Sequence, residues 1–256
     1  MLACISLSRK RKAGFAGEIA VNTPARQDLV LVPGLLCDEL LWQPQVAALS
    51  DLADCWVADP TRAATMAGVA AGVLRDAPFE KFAVAGLSMG GYVALEMVRQ
   101  AKHRVLKLAL LDTSARADTP EQSKKREDLI LLAERGRFLG VSDALLPMFV
   151  HPGRLADQQL VATIKKMAKN TGREAFAREE RAIMSRADSL PLLRSIACPT
   201  LVLCGRQDMV TPLERHEEMA RAITGSKLEI IEDCGHLSTL ERPAEVNAAL
   251  RRWLAA

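Results

Sequence analysis

Gly86-Leu87-Ser88-Met89-Gly90 places a serine between two glycines, each two residues away, after the apolar run FAVA and before the helix-like YVALEMV. A serine on a tight turn from strand to helix is forced into an unfavourable backbone conformation that presents its hydroxyl away from the sheet. Only small residues fit two positions to either side of such a turn. The helix that follows aims its first N–H groups and its positive dipole end at any negative charge developing there. Alone, the pattern also describes an ordinary glycine-rich bend, so the chemistry depends on what else the chain can bring to Ser88.

A serine hydroxyl is a poor nucleophile at neutral pH and needs a base. The chain has four histidines. His103, in QAKHRV, reads as an exposed helix-end residue, His151 belongs to the turn VHPGRL, and His216 reads as part of the polar face of LERHEEMA. His236 follows the last apolar run, in DCGHLSTLERP, and is the candidate base. An acid must then orient the imidazole and compensate its charge. Asp208, in LVLCGRQDMVTP, is the first candidate and Asp112, at the end of LKLALLD, the second. Asp233 lies only three residues before His236 and reads as a turn residue. An oxyanion needs fixed N–H donors, and Pro33-Gly34-Leu35-Leu36 follows the first apolar run. The expected donors are Met89 and Leu35, with Leu36 the alternative to Leu35, each worth roughly 3 kcal/mol to a tetrahedral intermediate.

These residues need elements that end at one place. Strands are expected over 28–34, 55–60, 81–88, 106–114, 199–205 and 227–235. Several are continuous Val/Leu/Ala runs, as strands buried on both faces of a parallel sheet are. Helices are expected around 42–50, 63–75, 90–101, 212–223 and 243–254. This alternation predicts an α/β fold, a mostly parallel central sheet flanked by helices. In a parallel sheet the C-terminal strand ends share one edge, and Gly34, Ser88, Asp112, Asp208 and His236 each follow a different strand.

Residues 115–190 interrupt the rhythm. EQSKKREDLILLAERGRF, SDALLPMFV, DQQLVATIKKMAKN and REAFAREERAIMSRA all have helical spacing, with turns expected at HPGR and NTG. The expected organisation is a core of 27–114 and 191–256, carrying a helical cap of 115–190 inserted before the penultimate strand. Residues 1–26 carry little signal. Their run Arg9-Lys10-Arg11-Lys12 reads as a solvated tail.

Composition excludes several classes. Of 256 residues, 34 are basic and 31 acidic, giving a net charge of +3 without a basic stripe, so nucleic acid is not an expected partner. No run approaches the roughly 18 apolar residues of a membrane span. The six cysteines are dispersed, with no C-x-x-C pair and no histidine at zinc-site spacing. The expectation is a reduced, cytoplasmic protein with neither metal nor organic cofactor. Aromatic residues are only 4% of the chain, so a pocket should be lined by Leu, Met and Val.

LVPGLLCD, AGLSMGGYVALEM, LVLCGRQDMVTP and IEDCGHLSTLERP together resemble the α/β-hydrolase-fold serine hydrolases. Within these, the sequence looks like an esterase or lactonase of the group that includes the pimeloyl-carrier-protein methyl esterases and 3-oxoadipate enol-lactonases. The resemblance spans about residues 28 to 254, and the order Ser88, Asp208, His236 matches that of the fold. It implies an acyl-enzyme on Ser88, with His236 as base and Asp208 holding its tautomer. The substrate would be a small-molecule carboxylic ester, thioester or lactone of small or medium size. Relatives with an aspartate nucleophile, the haloalkane dehalogenases and epoxide hydrolases, are excluded by Ser88. Two departures stand out: Pro33-Gly34 replaces the His-Gly common at the oxyanion turn, and ADPTRAATMAGV replaces a D-x-x-G-x-G stretch. Expected pocket residues are Leu36, Phe138, Leu145, Met148, Phe149, Met209 and Leu237, the cap residues among them serving equally well to pack cap on sheet. Carbon–carbon hydrolase, perhydrolase or lyase chemistry on the same residues, and a non-catalytic receptor of this fold, are the alternatives.

Overall fold

The computed structural model describes residues 26–256, so the basic run at 9–12 lies outside the described residues. Among the described residues, six strands form one parallel sheet: β1 (Gln27–Val32), β2 (Ala53–Val57), β3 (Phe82–Leu87), β4 (Val105–Leu111), β5 (Thr200–Gly205) and β6 (Lys227–Ile231). Their spatial order is β2-β1-β3-β4-β5-β6. All six expected strands form. The continuous apolar runs have the reason anticipated: along β1, Val30 and Val32 join the core on one face, while Leu29 and Leu31 join the core on the other.

On the first face lie α2 (Met66–Asp76), α3 (Met89–Ala101) and α8 (Leu213–Ala222); on the second lie α1 (Gln43–Leu49) and α10 (Pro243–Ala255). The chain leaves β1 toward β2 in one direction, then returns and builds β3 to β6 in the other. The crevice at the C-terminal ends of β1 and β3 is therefore the switch point where α/β sheets bind ligands. Leu35 and Ser88 follow those two strands.

Between β4 and β5 the chain forms only helices: α4 (Pro120–Leu132), the short α5 (Leu146–Phe149), α6 (Gln158–Met184) and α7 (Leu190–Leu193). Local chemistry starts the two long ones. Thr119 and Gln122 make a reciprocal capping box with Pro120 in the first turn of α4, and Asp157 accepts the Gln159 and Leu160 N–H groups at the start of α6. The expected turn at NTG is a bend and not a break: Gly172, at φ 76° and ψ 174°, kinks α6, and helix continues on its far side to Met184. The segment HPGR forms one 3₁₀ turn, Pro152–Arg154. Leu146, Val150, Leu160, Ile164 and Met167 extend the second core. After β6 come α9 (Ser238–Glu241) and α10. No helix among the described residues is long and apolar enough to cross a membrane.

Candidate active site

Ser88 stands between β3 and α3 at φ 56° and ψ −117°, a region that non-glycine residues avoid. The surroundings hold it there. Its N–H donates to Leu111 O (3.0 Å), and its carbonyl accepts from Gly91 N–H (2.9 Å) and Thr113 Oγ1 (2.7 Å). The flanking glycines are steric necessities. A Cβ on Gly86 would lie 2.1 Å from Gly90 O, and one on Gly90 would lie 2.0 Å from Val32 O.

His236 sits in the turn after β6, buried, with Nε2 2.9 Å from Ser88 Oγ. Its Nδ1 is 2.8 Å from Asp208 Oδ2. An ionised carboxylate only accepts, so Nδ1 carries the hydrogen and the Nε2 lone pair faces the serine hydroxyl. Asp208 is itself held: Oδ1 accepts the Val210 and Thr211 N–H groups at 2.8 and 2.9 Å, and Oδ2 accepts Thr211 Oγ1 at 2.6 Å. Burial disfavours the imidazolium of His236, but the Asp208 charge and hydrogen bond outweigh it and raise the pKa above 6.5. Burial likewise opposes ionisation of Asp208, yet His236 and Thr211 bring it below its ordinary value.

Asp112, the rival acid, is also buried, but its carboxyl accepts Gly205 N–H (2.9 Å) and the Ser238 hydroxyl, and makes no hydrogen bond to His236. Burial, then the Asp208 charge, push its pKa well above the usual carboxylate range. The two neighbouring acids are thus driven apart, Asp208 toward its ionised form and Asp112 toward its neutral one. Of the other histidines, His103 is exposed as expected and His151 is half-buried in its turn. His216 is a correction. It is fully buried, its Nε2 accepts Thr113 N–H at 2.9 Å, and burial lowers its pKa to about 4. It braces the strand end beside Ser88.

Met89 opens α3, so its N–H is one of the helix donors that lack an intrahelical acceptor. At the turn after β1, Leu36 N–H is taken by Glu179 Oε2 (3.2 Å), while Leu35 N–H donates to no group among the described residues. The Ser88 hydroxyl, the His236 imidazole and the Asp208 carboxyl thus stand in one hydrogen-bonded chain at one sheet edge, beside the turns that carry the Leu35 and Met89 N–H groups.

With this geometry, a comparison with known proteins is decisive about kinship. The description "Alpha/beta hydrolase family" matches residues 29–249. The chain belongs to that family. It is 28% identical to 3-oxoadipate enol-lactonase 1 of Acinetobacter baylyi, over 93% of this chain and 92% of that protein. Among solved structures, it resembles a thermophilic esterase from Thermogutta terrifontis at 32% identity and TM-score 0.80, covering 91% of each chain. It also resembles the enol-lactonase of Burkholderia xenovorans at 25% identity and TM-score 0.81, covering 91% of this chain and 93% of that one. The protein is an enzyme of the hydrolase class.

Over Ser88 the hydrolase has a largely apolar pocket of about 330 Å³ between the sheet edge and the helices that follow β4. Leu36, Met148, Phe149 and Leu237 line it, as expected. Phe138, Leu145 and Met209 do not. Phe138 packs on Phe176, with ring centroids 5.3 Å apart, while Leu145 and Met209 face solvent at 40% and 68% exposure. The lining missed by sequence reasoning includes Tyr92 of α3, Leu129 of α4, and Ile164, Met167 and Ile183 of α6. For Tyr92, Ile164, Met167 and Ile183 helical spacing was the available signal, since each lies on the buried stripe of its helix, whereas Leu129 is 47% exposed and gave none. Gln122, Lys125, Arg126 and Glu180 add a polar end.

Proposed function

We propose that the enzyme hydrolyses a small or medium carboxylic ester, thioester or lactone through an acyl-enzyme on Ser88. The observation that carries this reading is the continuous chain Ser88 Oγ to His236 Nε2 at 2.9 Å and His236 Nδ1 to Asp208 Oδ2 at 2.8 Å. In the proposed sequence His236 takes the serine proton as Oγ adds to the carbonyl, and the Leu35 and Met89 N–H groups receive the oxyanion. The imidazolium, stabilised by Asp208, returns the proton to the leaving alcohol, thiol or enol. His236 then draws a proton from water, which cleaves the acyl-enzyme.

The size class rests on the cavity. About 330 Å³ is at the lower end for small-molecule sites, and its apolar walls suit an acyl chain more than a sugar or nucleotide. Relatives named esterase and enol-lactonase support the same reaction class. Residues 115–190 serve in this reading as the cap that walls the acyl group. The free, separated cysteines 37, 55, 198, 204 and 234 support a reducing, cytoplasmic setting.

The test is turnover of p-nitrophenyl esters of increasing acyl length beside labelling by a fluorophosphonate, with Ser88→Ala as control. Both activities should disappear in the variant. Turnover that survives Ser88→Ala in folded protein would defeat the reading.

A further inference from the structure

A residue far along the chain reaches back to the oxyanion turn. Glu179, on α6 beyond the bend at Gly172, is fully buried, and its Oε2 accepts Leu36 N–H at 3.2 Å. Its Oε1 has no hydrogen-bond partner among the described residues. Leu36 has φ 59°, in the left-handed region where a leucine stays only if its surroundings hold it. Within the turn, Cys37 N–H donates to Gly34 O at 3.1 Å, and the Pro33-Gly34 pair offers no side chain that could brace it further. With Leu36 N–H committed to Glu179 and Cys37 N–H to Gly34, the Leu35 N–H is left for the cavity that Leu35 shares with Ser88.

We infer that Glu179 is a positioning residue for the oxyanion hole, holding Leu36 in its left-handed conformation so that the Leu35 N–H, and not that of Leu36, serves the cavity. This rests on the reading of Ser88 as nucleophile. It also gives α6 a role beyond walling the acyl chain, because the carboxyl ties that helix to the first catalytic turn.

The charge state follows from the neighbours. Burial raises the Glu179 pKa most; the Leu36 N–H works against it; Glu180 beside it and Asp59 after β2 raise it again, and Arg178 lowers it. The balance is about 8. Arg178 donates to Thr61 O at 2.8 Å, and Cys37 on the oxyanion turn is neutral because burial and the acids around it push its thiol up. At neutral pH Glu179 is therefore an uncharged acceptor, with Oε1 left to carry the proton. That is the useful state, since a carboxylate one residue from the Leu35 N–H would oppose the negative charge growing on the substrate oxygen. Ionisation above about pH 8 should slow acylation without loosening substrate binding to a matching degree.

The experiment measures kcat and KM for p-nitrophenyl acetate from about pH 6 to about pH 9.5 in wild type, Glu179→Gln and Glu179→Ala, with Ser88→Ala as control. Circular dichroism and thermal melting check the fold. Wild-type kcat is expected to fall on the order of tenfold through an apparent pKa near 8, and Glu179→Gln, which keeps an uncharged acceptor, to lack that fall. Glu179→Ala should lose about tenfold or more in kcat at neutral pH, with KM within about twofold. An undiminished alkaline fall in Glu179→Gln would overturn the inference, and so would a folded Glu179→Ala with wild-type kcat. If Glu179→Ala does not fold, the glutamine pH profile decides alone. Wild type without Ser88-dependent turnover would defeat the Ser88 reading first, and this inference with it.

Discussion

His151 donates its N–H to Glu241 Oε2 at 2.7 Å, and the same buried carboxyl accepts the N–H groups of Gly235 and Leu237, the two neighbours of His236, at 3.1 Å. His236 N–H itself donates to Phe149 O at 2.9 Å. The backbone around the base is thus bound to the end of α5, whose Phe149 joins the cavity wall, and to the turn that follows it. Glu241→Ala should leave three backbone donors, two of them buried, without their acceptor. The expected cost is about 2–4 kcal/mol in stability and about 10- to 100-fold in kcat, with Glu241→Gln intermediate. Urea unfolding and steady-state kinetics on the same preparations check this. Wild-type kcat in a folded alanine variant would show that the base needs no such clamp.

The two buried acids should behave very differently. Asp208→Asn keeps the shape but can offer its amide hydrogens to Nδ1 and so favour the wrong tautomer, with an expected loss of about 10⁴ in kcat. Asp112 is pushed toward its neutral form by burial and is bonded to Gly205 and Ser238, not to His236, so Asp112→Asn should cost less than about tenfold. Equal, severe losses in two folded variants would mean that the acid has been misassigned.

His236 sets the acid limb of the pH profile. Its pKa in the fold lies above 6.5, and the base must be neutral, so kcat/KM should fall as pH drops through a value higher than that of a free histidine. Linkage has the opposite sense. A raised folded pKa stabilises the protein fully below about 6.5, and that contribution is lost as pH rises through the folded value. In Asp208→Asn, burial remains while the charge partner is gone, so the limb should shift to lower pH. A limb that stays in place would show that another group controls it.

The cavity sets a chain-length limit. Each methylene buried is worth about 0.8 kcal/mol, close to fourfold in kcat/KM, until about 330 Å³ is filled. Specificity on p-nitrophenyl esters should therefore rise with acyl length and then break. Phe149→Ala should move the break to longer chains, whereas Phe138→Ala, outside the lining, should leave it in place. A profile indifferent to Phe149 would place the acyl group elsewhere.

Much of this was legible in the amino-acid sequence. The six strands were readable because β3 and β5 bury every residue and leave unbroken apolar runs, and the G-x-S-x-G turn announces itself by glycines that no other residue can replace. Parallel strand ends then brought Ser88, Asp208 and His236 into hydrogen-bond contact. Less visible were Glu179, Glu241 and His216, polar residues on helices whose charged neighbours read as solvated faces. Their burial depends on which side of each helix meets the sheet. For His216 the clue was its place three residues before buried Met219 and seven before buried Ile223. Phe138, Leu145 and Met209 were drawn to the pocket by apolarity alone, and a large apolar side chain can equally pack within the helical segment or stay exposed.

The acyl-enzyme itself is the most direct object to measure. Wild-type enzyme acid-quenched within the first turnover of p-nitrophenyl acetate, digested and read by mass spectrometry should carry the acetyl group on the peptide containing Ser88. Ser88→Ala, treated alike, should carry none. Acetyl found instead on Cys37, which lines the same cavity, or turnover with no acylated peptide at all, would contradict the account.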